Sequence, residues 1–207
     1  MPNPTPPPLA PLPLPPGMRR RCGPGINGMT VHLLEAGHES PGRPGVLLLH
    51  GFPELAYSWR QVMPALAAAG YHVIAPDQRG YGRTTGWDGD YDGDLGAFRL
   101  LNLVRDALAL VAALGLHRVA AVVGHDFGSP VAAWCALVRP DVFRAVVLMS
   151  APFGGPPALP FNTATARAGS VDVGATPTPD IHAQLAALPR PRKHSSGITP
   201  PERPMPI

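Results

Sequence analysis

Short runs of uninterrupted apolar residues, each followed by a longer stretch with apolar residues at helical spacing, leave this chain few architectures. Thr30–Leu34, Val46–His50, His72–Ala75, Arg118–Val123 and Arg144–Met149 read as strands. Several are apolar almost throughout, which suits strands covered on both faces of a parallel sheet. Tyr57–Gly70, Leu95–Gly115 and Ser129–Pro140 read as helices. In the second, Phe98, Leu101, Val104, Leu108 and Val111 are expected to form one stripe, closed by Gly115. The alternation predicts an α/β fold, a mostly parallel sheet with helices on both faces. Ligands of such sheets bind at the carboxyl ends of the strands. Three segments then share one edge: HGFPE from His50, DQRGYG from Asp77 and GHDFGS from Gly124.

Proline marks the limits of this block. Of 29 prolines, nine fall between Pro2 and Pro16 and eight between Pro177 and Pro206. Such segments lack the backbone donors and apolar stripes of a packed element. Residues 1–18 are therefore expected to be disordered and 19–153 to form the core. The net charge of +3 is scattered, and its one basic run, Arg19–Arg21, is too short to track phosphates, so no nucleic-acid partner is expected. Cys22 and Cys135 share no metal-like spacing, so neither a metal nor a cofactor is expected. His117 and Arg118 interrupt the most apolar stretch, and the N-terminus has no apolar signal core. No membrane association and a cytoplasmic location are the expectation.

The segment Gly124–Gly128 reads Gly-x-Asp-x-Gly between a strand and a helix. One reading is a helix-capping aspartate at position 126. The other is a nucleophile elbow in which aspartate stands where serine is usual, with Gly124 and Gly128 small because backbones approach closely there.

With His50–Glu54 upstream and Asp77–Gly82 between, the chain resembles the α/β-hydrolase superfamily, in its epoxide hydrolase branch, over about residues 15–194. Related haloalkane and haloacetate dehalogenases share the pattern. The resemblance implies the α/β-hydrolase fold and an enzyme acting on a small molecule, an epoxide or an organohalide. It nominates Asp126 as nucleophile and the backbone N–H groups of Phe52 and Phe127 as the oxyanion hole. His50, Gly51 and Pro53 would line the substrate side, and Asp77 would hold Arg79 or Arg83 in a structural network. A carboxylate is ionised at neutral pH and can displace epoxide oxygen or halide from a saturated carbon. The resulting alkyl ester then needs water and an oxyanion hole. Related dehalogenases tend to place tryptophan or arginine after the nucleophile, where this chain has Phe127, which favours the epoxide.

His125 is expected to point away from the nucleophile and pack. Asp88–Asp94 imitates a calcium loop, but Arg99 stands where the closing glutamate belongs, so a solvated acidic loop with Asp94 near a helix start is expected. His182 and His194 have no motif around them. Residues 154–194 read as the start of a cap, and neither the cap tyrosines nor the acid and histidine base of the resembling enzymes has a counterpart. The sheet is thus expected to be the N-terminal part of the fold, with an incomplete C-terminal portion and an inactive product. Permitted codons for Ser195–Ile207, read from the third base, spell QWYYSTRAANAD, similar to the family's continuation. That stretch is therefore expected to be out of frame. A non-catalytic binding protein of the same fold, or a fragment without function, remains open.

Overall fold

Six strands form one sheet among the residues that the computed structural model describes, 10–90 and 92–151. They are β1 (Met18–Ile26), β2 (Met29–Ala36), β3 (Gly45–Leu49), β4 (His72–Pro76), β5 (Val119–His125) and β6 (Val146–Met149), in the order β1-β2-β4-β3-β5-β6. The strands β4, β3, β5 and β6 run parallel. β2 is antiparallel to β4, and β1 to β2.

Strand β3 shows why the central run is apolar without alternation. Leu47 and Leu49 join one buried cluster with Leu103, Val104, Leu110 and Val131. Val46 and Leu48 join another with Trp59, Met63 and Val73. Burial of a leucine such as Leu47 contributes roughly 1.5–3 kcal/mol. Helices α2 (Leu100–Ala113) and α3 (Gly128–Val138) cover the first face. A 3-10 helix, Ala56–Gln61, and the short α1 (Met63–Ala68) cover the second.

The helical expectations are corrected in two places. Tyr57–Gly70 is not one helix: Pro64 stands in the first turn of α1, where its missing N–H costs nothing, and the preceding turn is 3-10. Nor is Leu95–Gly115 one helix: Leu95–Phe98, with Phe98 of the expected stripe, is a separate 3-10 turn, and in α2 the buried stripe is Leu103, Val104, Ala107, Leu110 and Val111, with Leu101 55% exposed. Asn102, Arg105 and Asp106 lie together on the other side of the helix, and Asp106 is drawn to Arg79, at 2.7 and 2.8 Å.

The sequence reading missed β1, whose MRRRCGPGI mixes charge, glycine and proline on a largely exposed edge. Its pairing with β2 brings Arg19 to Glu35, a side chain with no solvent exposure on β2. Arg19 Nε donates to Glu35 Oε2 at 2.8 Å, and His72 Nε2 to Oε1 at 3.0 Å. These bonds outweigh burial, which alone would raise the group, and hold the Glu35 carboxyl at about 2. The N-terminal expectation also changes. Residues 10–17 form no helix or strand, but Tyr57 Oη donates to the Pro13 carbonyl at 2.9 Å and Arg83 Nη2 to the Ala10 carbonyl at 2.6 Å. Leu14 packs against the second core cluster. Residues 1–9, Tyr91 and 152–207, with the cap and out-of-frame expectations, lie outside the described residues.

Candidate active site

The turn from β5 into α3 places Asp126 at φ 50°, a left-handed conformation that few non-glycine residues adopt. A turn this tight leaves no room around it. A Cβ on Gly124 would run into the Gly128 carbonyl, and one on Gly128 into the carbonyls of Leu49 and His50. A Cβ on Gly51 would lie 2.5 Å from Asp126 Cβ. Ser129, fully buried, ties the start of α3 to both neighbouring strands. Its Oγ lies 2.8 Å from the carbonyls of Gly124 and Met149 and accepts from the Met149 N–H at 3.2 Å.

The Asp126 carboxylate does not cap α3: the residue at that N-cap is Phe127, and it carries no side-chain cap. Instead Phe52 N–H, 74 residues away in sequence, donates to Asp126 Oδ1 at 2.9 Å. The hydrogen bonds from Phe52 N–H and then Phe127 N–H, with a smaller contribution from His125, hold the carboxyl below its ordinary value. Thus the two backbone donors nominated from sequence converge on the side chain nominated as nucleophile. The rings of Phe52 and Phe127 are 70% and 41% exposed, so neither is core. Phe52 and Pro53 are joined by a cis peptide and lie at the exposed rim.

His50 occupies a different position from the substrate-lining one expected, whereas Gly51 lies against Asp126. His50 is fully buried. Its Nε2 accepts the Gln78 N–H at 3.0 Å, so its Nδ1 carries the proton and donates to the Gly51 carbonyl at 2.8 Å. Gln78 Nε2 donates in return to the His50 carbonyl at 2.7 Å. Burial pushes the imidazole below its ordinary value, so it stays neutral and fixes the loop from beneath.

Asp77 is a buried hub. Burial would raise its carboxyl, but hydrogen bonds from His32, Arg83 N–H and Ala56 N–H bring it below its ordinary value. His32 Nδ1 lies 2.9 Å from Oδ2, and the two backbone donors lie at 2.9 Å. Its partner is therefore the Arg83 backbone rather than a guanidinium, and Arg79 turns to Asp106.

Two side chains escaped the sequence reading. His125, expected to pack away from the site, is 30% exposed and places Nδ1 3.4 Å from Glu54 Oε2, joining the HGFPE loop to the turn. Tyr81 packs edge-on against His50 with ring centroids 4.9 Å apart, and burial and then the Asp126 charge push its phenol upward. The DQRGYG spacing placed Tyr81 at the correct edge, but nothing in the sequence aimed it at Asp126. The acidic loop behaves as expected: Asp88 and Asp90 accept from backbone N–H groups two residues on, and Asp94 accepts the Gly96 N–H at the start of a 3-10 turn. No group of side chains suited to a metal occurs among the described residues, and none of their helices is long and apolar enough to cross a membrane. His182 and His194 lie outside the described residues.

A parallel sheet with a tight strand–turn–helix aspartate at its carboxyl edge is an α/β-hydrolase arrangement. Residues 44–174 match the alpha/beta hydrolase fold family, and the chain belongs to that family. Within it, the chain is 45% identical over 126 residues to epoxide hydrolase A of Mycobacterium tuberculosis, covering 61% of this chain and 37% of that protein. It is 42% identical over 127 residues to an epoxide hydrolase of Caballeronia sordidicola, covering 61% and 36%. Among solved structures, epoxide hydrolase A from Mycobacterium thermoresistibile superposes with a TM-score of 0.61 at 41% identity, over 72% of this chain and 44% of that one. An epoxide hydrolase from an endophytic Streptomyces superposes at 0.57 with 49% identity, over 67% and 39%. The matched part spans little more than a third of the length of these curated relatives.

Proposed function

We propose that this chain carries the nucleophilic half of an epoxide hydrolase. Asp126 Oδ2 attacks a carbon of the oxirane as that carbon's bond to the ring oxygen breaks. The products are an alkyl ester of Asp126 and an alkoxide that takes up a proton. Oδ1 becomes the ester carbonyl oxygen. Water then adds to Asp126 Cγ, the oxyanion forms on Oδ1, and collapse releases the diol and restores the carboxylate. The observation that carries this reading is the 2.9 Å hydrogen bond from Phe52 N–H to Asp126 Oδ1, because the donor is already where that negative charge will develop. Epoxide is favoured over organohalide because the relatives named above are epoxide hydrolases and Phe127 offers no side-chain donor to a halide.

The 207 residues supply nucleophile and oxyanion donors, while the cap tyrosines, acid and histidine base of the resembling enzymes have no counterpart in them. Alkylation without turnover follows. Incubation with a small aryl epoxide should give one adduct by intact mass, mapping to Asp126 on digestion. Asp126→Asn should abolish it. An undiminished adduct in that variant places the nucleophile elsewhere.

A further inference from the structure

At the amino ends of β3 and β5, opposite the edge that holds Asp126, a cavity of about 460 Å3 opens between three loops. β5 is seven residues long, which separates this cavity from Asp126 by roughly 20 Å. Arg43, His117, Arg118 and Arg144 line it, and no acidic side chain does. The guanidinium groups of Arg118 and Arg144 have no carboxylate partner among the described residues. Arg43 is held in place instead: its Nη1 donates to the Ala67 carbonyl at 3.0 Å and packs over Gly37, where a Cβ would lie 2.8 Å from that nitrogen. The adjoining cavity, which shares Gly115, Leu116 and His117, makes a useful contrast. Its arginine, Arg139, is already neutralised by Asp141, with contacts of 2.8 and 2.6 Å. Arg43, Arg118 and Arg144 thus bring positive charge without a carboxylate partner to one concave surface.

We propose that this cavity binds a small soluble ligand bearing phosphate groups. Its volume falls in the range that encloses small molecules, about 300–1,000 Å3. Arginine forks match the planar spacing of phosphate oxygens, and several cations around a concave wall favour a multiply charged anion over a single carboxylate. Gly42 and Gly115, where a Cβ would meet nothing within 4 Å, leave the walls without side-chain bulk, so an anion can approach the backbone as well. A duplex or a membrane needs an extended basic face. This one is a recess bounded by three loops and partly open to solvent, and the chain's net charge is only +3.

The test is titration of the 207-residue protein with inorganic pyrophosphate, followed by calorimetry and by amide chemical shifts, beside Arg118→Gln and Arg144→Gln singly and together. Both arginines are exposed and without side-chain partners, so the variants should keep the wild-type amide spectrum. Saturable binding is expected, with shifts centred on residues 42–45 and 115–120. Each substitution should weaken it about tenfold. Asp126→Asn should bind pyrophosphate like the wild type, which separates this site from the alkylation chemistry. Unchanged affinity in the double variant overturns the proposal, as does shift perturbation centred elsewhere. Tighter binding of duplex DNA or of anionic vesicles than of pyrophosphate overturns it in favour of a macromolecular surface.

Discussion

Replacing Glu35 with glutamine isolates a charge effect that the fold itself contains. The side chain is wholly buried between β1 and β4, with Arg19 at 2.8 Å, His72 at 3.0 Å and Arg21 at 3.9 Å. Its carboxyl is held at about 2 against an ordinary 4.5. A depressed carboxyl stabilises the fold above its unfolded value, and that contribution is lost as pH falls through the folded value. The window therefore runs from about 4.5 down to about 2. At about 1.4 kcal/mol per pH unit, the displacement is worth on the order of 3 kcal/mol. Glutamine is close to an isostere of the protonated acid, so the variant mimics the low-pH state at every pH. Urea unfolding should thus show wild type and Glu35→Gln differing by about 3 kcal/mol at pH 6 and converging near pH 2. Parallel curves across that range would show that Glu35 titrates alike in the folded and unfolded chain, and the displaced carboxyl would be refuted.

Other perturbations address the site and the sheet. Gly51→Ala places a Cβ against Asp126 and should slow epoxide labelling by at least about tenfold without changing far-ultraviolet circular dichroism, a loss of about 1.4 kcal/mol in the transition state; unchanged labelling would mean that the loop yields freely. Ser129→Ala removes a buried hydroxyl that faces two carbonyls and a N–H, and should cost about 1–3 kcal/mol in chemical denaturation. Among the described residues strand β6 is an edge with Val147 47% exposed, so Val147→Lys should raise the soluble, monomeric fraction on size-exclusion chromatography. Any adduct on Asp126 should persist for hours; repeated turnover by the 207-residue protein would give the base role to His125, the histidine adjoining Asp126 and facing Glu54.

The central strands were legible because two-sided burial leaves no room for polar residues, and Val46–Leu49 is apolar at every position. The Asp126 turn was legible for a related reason. Steric exclusion at Gly51, Gly124 and Gly128 is written in residue identity, since only glycine fits. Position 126 itself carried two meanings, helix cap and nucleophile. The cap position falls to Phe127, and the carboxylate instead accepts the Phe52 N–H from a different strand end, a contact that no local pattern encodes. Strand β1 was hidden for the opposite reason: an exposed edge tolerates arginine, glycine and proline, so its sequence resembles a loop. The role of Glu35 was hidden with it, because a buried carboxylate makes sense only once Arg19 and His72 are known to flank it. In α2, Asn102, Arg105 and Asp106 share one side and mark the opposite one as buried, but no local pattern encodes the pairing of Asp106 with Arg79.

The hydrogen bonds that depress the Asp126 carboxyl bear on both halves of the proposed reaction in opposite senses. By stabilising the carboxylate, Phe52 and Phe127 N–H groups make it a weaker nucleophile than a free carboxylate, since they must loosen as charge leaves Asp126 for the epoxide oxygen. In the ester the same donors face a neutral carbonyl and bond it less strongly. When water adds, the charge returns to Oδ1 and the bonds tighten again, which favours hydrolysis in particular. A site so arranged gives up some rate in alkylation and favours ester cleavage, provided that a proton acceptor stands near the attacking water. His125 and Tyr81 belong to the surroundings of Asp126, but His125 is turned toward Glu54 and the phenol of Tyr81 is pushed upward, away from the range of a base. Among the described residues, therefore, the donors proposed for the second step stand without a base aimed at the attacking water, and ester cleavage is the step these residues leave unaided.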